Sequence, residues 1–216
     1  MCPSSMNSSP NAHLKIRSRK DYLIYNEADR VALGRKRTLA RFLFDDIWKF
    51  QKRLRYLEYL QNSERPLFLR RVRVLIAKYR HRRLGVKLGF TIPPNVFGPG
   101  LAIAHVGTII VSDGAIVGSN CRLHCCVNIG TKGGESATAP TIGNNCYIAP
   151  GAKLYGDIVI GDNIAIGANA VVNRDFPAGD MTIGGVPARV LSDKGSKGLV
   201  TEGLRRSKAS GLENDA

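Results

Sequence analysis

Four histidines, five cysteines and a short insertion, Thr131-Lys-Gly-Gly-Glu-Ser-Ala-Thr-Ala-Pro140, are where this chain could do chemistry. An unperturbed imidazole titrates near ~6.5, so a histidine can take a proton from a hydroxyl at neutral pH. His105 and His124 lie in a repetitive second half, and His105 is the candidate general base. His124 follows the aliphatic Leu123 one repeat coil later, where stacking would bring it near His105 or near a neighbouring subunit's cleft. The cysteines are Cys2, Cys121, Cys125, Cys126 and Cys146, an odd number without a CxxC pair. That argues against a disulfide framework and a zinc site, and no metal is expected.

The element that must position these residues is a six-residue repeat. Its aliphatic place is held by Val111, Val117, Leu123, Ile129, Ile142, Ile148, Leu154, Ile160, Ile166 and Val172, with one break at the insertion. Three residues on come Gly114, Asn120, Asn145, Gly151, Asp157, Asn163 and Asn169, types that enter left-handed backbone angles at least cost; Cys126 departs. Four residues on come Ala115, Cys121, Val127, Cys146, Ala152, Ile158, Ile164 and Ala170, small or aliphatic as a narrow interior demands. Each hexad reads as a short strand and a corner, and three corners close a coil. Coils then stack at ~4.8 Å. Cys121 and Cys146 are thereby core fillers.

The first half has a different texture. Residues 1–90 carry 22 Lys/Arg against 7 Asp/Glu, whereas residues 91–216 carry 10 of each, so the whole net charge of +15 lies before the repeat. Residues 1–17 read as disordered and 18–90 as a basic α-helical region. A capping box at Ser18-Arg-Lys-Asp21 opens a helix that would stop at Gly34. A second runs from about Leu39 to Gln61, with Phe42, Ile47, Phe50, Leu54 and Leu57 on one face. A third starts at Pro66 and ends near Gly85, with Leu69, Val72, Ile76 and Tyr79 as its apolar stripe. The repeat occupies 91–191, and 192–216 read as a flexible tail. The start lacks an apolar signal segment and no run suits a membrane span, so a cytoplasmic location is expected.

Gly98-Pro-Gly-Leu-Ala-Ile-Ala-His105, Val117-Gly-Ser-Asn, Asn128-Ile-Gly-Thr131, Thr141-Ile-Gly-Asn-Asn and Gly184-Gly-Val-Pro-Ala-Arg-Val190 resemble the hexapeptide-repeat acyltransferases, serine acetyltransferases above all. Ile92-Pro-Pro-Asn-Val-Phe-Gly-Pro-Gly is similar to the branch associated with exopolysaccharide and capsule synthesis. The resemblance implies a mainly β fold, a left-handed parallel β-helix behind the N-terminal helices, although parallel crossovers are right-handed in ~98% of cases. It also implies acetyl-CoA as acyl donor, a homotrimer, and His105 as the base. For coenzyme A it implies Gly130, Thr131, Pro150, Gly151, Gly167 and Ala168 along one edge, with Lys132, Lys153, Arg174 and Arg189 as cations for the phosphates.

Departures from that family bear on the acceptor. Ala104 stands where an Asp precedes the base, about Thr91 where another Asp orients it, and Thr138-Ala139-Pro140 where Arg-His-Pro receives the serine carboxylate. A zwitterion needs charged partners to replace lost hydration. The expected acceptor is therefore a neutral hydroxyl, of a sugar or polysaccharide precursor, with serine O-acetylation for cysteine biosynthesis as the alternative. Asp113, where the family has Glu, is the first candidate to orient His105, and Asp29 the second. A non-catalytic hexapeptide scaffold is the alternative of another class. A carbonic-anhydrase-like centre lacks its third histidine. The basic helices could meet an anionic membrane surface at the inner leaflet, and nucleic acid is not expected because no matching fold signature accompanies them.

Overall fold

The computed structural model describes residues 15–36, 38, 44–64, 67–133 and 138–204. Most of the disordered N-terminus expected at 1–17, Phe42 and the last dozen residues lie outside that set. Among the described residues the main helices come first: α1 (Arg19–Ala32), α2 (Asp46–Asn62) and α3 (Leu67–Leu88). The capping box that opens α1 is formed in both directions, Asp21 N–H to Ser18 Oγ at 3.1 Å and Ser18 N–H to Asp21 Oδ2 at 2.8 Å. Asp45 caps α2 through the Trp48 N–H at 3.0 Å. Ile47, Phe50, Leu54 and Leu57 form the buried face of α2.

Two readings of α3 change. The helix runs through Gly85 to Leu88, and Gly89, at φ +80°, ends it. Gly85 is there for close approach, since a Cβ would sit 2.7 Å from the Phe90 carbonyl oxygen. The apolar stripe through Val72, Ile76 and Tyr79 faces outward, and the buried side carries Ala77, His81, Leu84 and Leu88.

From Phe90 the chain winds into a parallel coil with three faces. One sheet stacks β1 (Phe90–Thr91), β3 (Ile109–Val111), β6 (Val127–Gly130), β9 (Lys153–Tyr155) and β12 (Val171–Val172). The second stacks β4 (Ile116–Val117), β7 (Thr141–Ile142) and β10 (Val159–Ile160). The third stacks β2 (Ala102–Ile103), β5 (Arg122–Leu123), β8 (Tyr147–Ile148), β11 (Ala165–Ile166) and β13 (Thr182–Gly185), and β14 (Ala188–Ser192) folds back antiparallel on β13. Every aliphatic hexad position named above is at most 2% exposed, and the small positions are buried too. Each such aliphatic side chain contributes about 1.5–3 kcal/mol on burial.

The corner asparagines do more than accept left-handed angles. Asn120, Asn145 and Asn163 have φ of 57°, 55° and 59°. Their amides form a ladder: Asn120 Nδ2 to Asn145 Oδ1 at 3.0 Å, Asn145 Nδ2 to Asn163 Oδ1 at 2.9 Å, and Asn163 Nδ2 to Asp180 Oδ1 at 2.9 Å. The segment after Ser192, expected to be flexible, lies along this ladder as far as Leu204. Ser196 Oγ donates to the Asn145 carbonyl at 2.5 Å, and the Leu204 N–H donates to Asn120 Oδ1 at 3.0 Å. Its glycines allow the close approach: a Cβ on Gly203 would fall 2.1 Å from the Ala28 carbonyl oxygen.

The helices are tied to the coil by a buried ion cluster. Arg55 spends all five of its donors: Nε and Nη2 on Asp29 (2.8 and 3.2 Å), Nη1 on Glu58 (3.0 Å) and the Phe97 carbonyl (2.8 Å), and Nη2 on the Gly98 carbonyl (2.7 Å). Asp29 Oδ1 also accepts the Gly100 and Leu101 N–H groups, each at 2.8 Å, and Glu58 accepts that of Asn95 at 2.8 Å. Burial lifts both carboxyls above their ordinary range, opposed by the Arg55 charge.

Candidate active site

His105 sits in the turn that joins β2 to β3. Ala102 and Ile103 pair with Arg122 and Leu123, and the Ala104 N–H bonds the Leu123 carbonyl at 2.9 Å. The chain then leaves the sheet and exposes the imidazole. The strand that delivers it is held from behind by α2: Gln51 donates to the Leu101 carbonyl at 2.6 Å and receives the Ile103 N–H at 3.4 Å. With the Arg55 cluster on residues 97–101, the whole approach to His105 is pinned.

The His105 and His124 rings lie 5.7 Å apart, and Tyr147 continues the row 5.0 Å beyond His124. Arg122 Nε approaches His124 Nε2 at 3.4 Å, which makes that nitrogen the acceptor. Partial burial, then the charges of Arg122 and His105, hold the His124 imidazole below its ordinary pKa. A neutral His124 thus stands beside an exposed His105 whose ring bonds none of the described residues.

Extending the β2–β5–β8–β11 register by two residues sets His105, Cys125, Pro150 and Ala168 in successive coils. The Gly151 N–H bonds the Cys125 carbonyl at 3.0 Å and the Asn169 N–H that of Pro150 at 2.9 Å. Pro150, Gly151, Gly167 and Ala168 therefore share the corner of His105. Lys153 begins the next strand, exposed, its amine on the Cys126 carbonyl. Arg189, also exposed, pairs through its backbone with Gly184 at the top of the same face.

The remaining candidates lie elsewhere. Gly130 ends β6, and the β3–β6 register places Thr131 beside Asp113 at the opposite end of that sheet. From Thr108 to Ser112 is about 13 Å at ~3.3 Å per residue. Asp113, Gly130, Thr131 and Lys132 are thus not gathered around His105 within one chain. Asp29, the second candidate to orient the base, is fully engaged with Arg55, Gly100 and Leu101. Arg174 is turned aside, its Nε on the Ala188 carbonyl at 3.1 Å and its cation over Phe176 at 5.6 Å. Residues 134–137 of the insertion lie outside the described set. No group of three or more metal-binding side chains occurs among the described residues.

A cleft next to the His105 turn has no signal in the sequence. Phe44, Asp45, Asp46, Ile47, Leu88 and Val106, the residue after His105, line about 730 Å³ together with Lys87. Asp46 faces Lys87 at 2.7 Å and Lys49 at 2.9 Å, and these contacts lower its carboxyl to about 2. Only proximity in the fold assembles this group, because α2, the end of α3 and the His105 turn are far apart in the chain.

Known proteins agree with this architecture. Residues 139–174 match the family described as bacterial transferase hexapeptide (six repeats). The fold is the left-handed parallel β-helix of hexapeptide repeats. Within that class the chain is homologous to serine acetyltransferases. The enzyme of Synechococcus elongatus is 39% identical over 109 residues, 50% of this chain and 44% of that protein. The crystal structure of serine acetyltransferase from Brucella abortus matches with a TM-score of 0.62 and 25% identity, over 81% of this chain and 69% of that one. A second crystal structure from that organism, in complex with coenzyme A, matches with a TM-score of 0.62 at 24% identity, over 81% and 68%. The chain spans less than half the length of the Synechococcus relative. These similarities do not support the exopolysaccharide- and capsule-associated branch.

Proposed function

We propose that this chain is an acetyl-CoA-dependent O-acetyltransferase with L-serine as acceptor. One observation carries the reading: His105, exposed and bonded to none of the described residues, stands at the foot of a stacked corner in a fold homologous to serine acetyltransferases. The corner fits the donor. Pro150, Gly151 and Ala168 present small groups and backbone in a row, with the Lys153 and Arg189 cations beside it for phosphates. Acetyl-CoA would supply the acetyl group as an activated thioester. His105 receives the proton of the attacking hydroxyl, and neutral His124 beside it adds no competing charge. Asp46 and Lys87, at the cleft next to Val106, offer the two charges that a zwitterion requires.

A trimer belongs to this proposal. His105 and the Asp113–Gly130–Thr131 group occupy different corners of one coil, and a three-fold assembly would set one copy's corner against another's.

A second reading, a neutral hydroxyl such as that of a sugar, is favoured by Ala104 and by Ala139, which is buried where the family has a polar residue. Thiol release from acetyl-CoA, measured with L-serine and with a panel of neutral sugars, separates the two. Turnover with serine supports the first reading, and turnover with a sugar alone replaces it. Failure of the protein to bind coenzyme A in calorimetry removes both in favour of a scaffold.

A further inference from the structure

The outward face of α3 has no partner among the described residues. At about 100° per residue, Ala77, His81, Leu84 and Leu88 mark the side packed on the protein. Opposite them, on an arc about 100° wide, lie Val72, Leu75, Ile76, Tyr79 and Val86. They are 50%, 69%, 50%, 59% and 75% exposed. Arg71, Lys78 and Arg82 flank the arc on one side, and Arg73 and Arg80 on the other, with Lys87 at the end of the second row paired to Asp46. Within the arc, Arg83 folds over the Tyr79 ring at 5.9 Å and donates to its hydroxyl at 3.3 Å. The helix carries no carboxylate.

We infer that α3 seats the protein on the surface of an anionic lipid bilayer, the apolar arc entering the headgroup region and the two rows of cations meeting lipid charge. Interfacial helices show this arrangement: an apolar strip bounded by Lys and Arg. The charge pattern argues against other occupants. A second copy laid on the same face would set cations against cations with no acid on either helix to pair them. A nucleic acid would want the cations, rather than the aliphatic groups, at the centre of the contact. No helix among the described residues is long and apolar enough to cross a membrane, so the contact is peripheral. It would hold the His105 corner at a fixed place relative to the bilayer whatever the acceptor is.

The test uses the full chain and unilamellar vesicles of phosphatidylcholine with about a third phosphatidylglycerol, in about 0.1 M salt. The protein should sediment with these vesicles and not with phosphatidylcholine alone. Trp48 is the single tryptophan, so Trp48→Phe with Tyr79→Trp places the only such fluorophore on the arc, and its emission should shift to the blue on binding. Arg71→Gln, Arg82→Gln and Arg83→Gln together should weaken retention about a hundredfold, at about fivefold per cation. Leu75→Ser with Val86→Ser should abolish retention without changing the melting temperature, since both side chains are exposed. Three results overturn the proposal. One is the absence of sedimentation. Another is retention without a blue shift, with the serine variant binding normally, which would be adsorption by charge alone. The third is a change of molecular mass in the serine variant without lipid, which would make the arc a contact between copies.

Discussion

At the scale of single residues, the imidazole of His105 is useful because the turn after β2 leaves it exposed, with no bond to the described residues. His105→Ala should lower turnover about 10²–10⁴-fold, the usual worth of a general base, with an unchanged melting temperature. Wild-type turnover in that variant would remove His105 from the reaction. Asp46→Asn tests the acceptor cleft separately: it should raise the KM for serine and leave that for acetyl-CoA unchanged. An equal rise in both would make the carboxylate a support for α2. The histidines were legible in the sequence because the hexad register gave each a place. Asp46 and Lys87 were not, because nothing in their spacing relates them to a turn so distant in the chain. Asp29 misled for a related reason. A carboxylate in a neighbouring helix could orient a base, but this one bonds the backbone four and five residues before it.

The elements show where periodicity informs and where it does not. Hexad register predicts inward positions well, because a triangular coil has little freedom once its corners are set. In α3 the apolar stripe exists but faces outward, because an apolar stripe on a helix does not say what covers it. The true inner face includes His81, whose Nε2 lies 3.0 Å from the Ile92 carbonyl. Burial depresses its pKa, with the Ile92 hydrogen bond opposing. A base held below its unfolded pKa gives stability that is fully present above about 6.5 and is lost as pH falls from there through the depressed folded value. Thermal midpoints should therefore drop on going from neutral to mildly acidic buffer, and His81→Gln should flatten the drop. The Arg55 cluster is a stronger tie between elements. Arg55→Met strands two carboxyls in the interior and should cost about 3–5 kcal/mol, read as a lower urea midpoint. Arg55→Lys should recover only part of this, since an ammonium cannot reproduce the fork on Asp29.

At the scale of the whole molecule, a stack of coils is nearly one-dimensional: each rung touches its neighbours, and a defect is felt locally. Ile148→Ala, in the middle of the stack, should cost about 2–5 kcal/mol through the cavity it leaves. The coil was legible in the sequence because every turn repeats the same demand. The course of the last described residues was not, since a polar Gly-, Ser- and Lys-rich segment has no periodicity of its own and takes its path from the asparagines beneath it. That path has a thermodynamic consequence. By reaching from the top rungs down to α1, residues 195–204 join the two ends of a solenoid that would otherwise fray independently. The molecule should melt in a single step while this strap is seated. Gly203→Val, which forces the strap off the Ala28 carbonyl, should split the transition in two, with amide exchange near Asp180 accelerating well before that near Phe90.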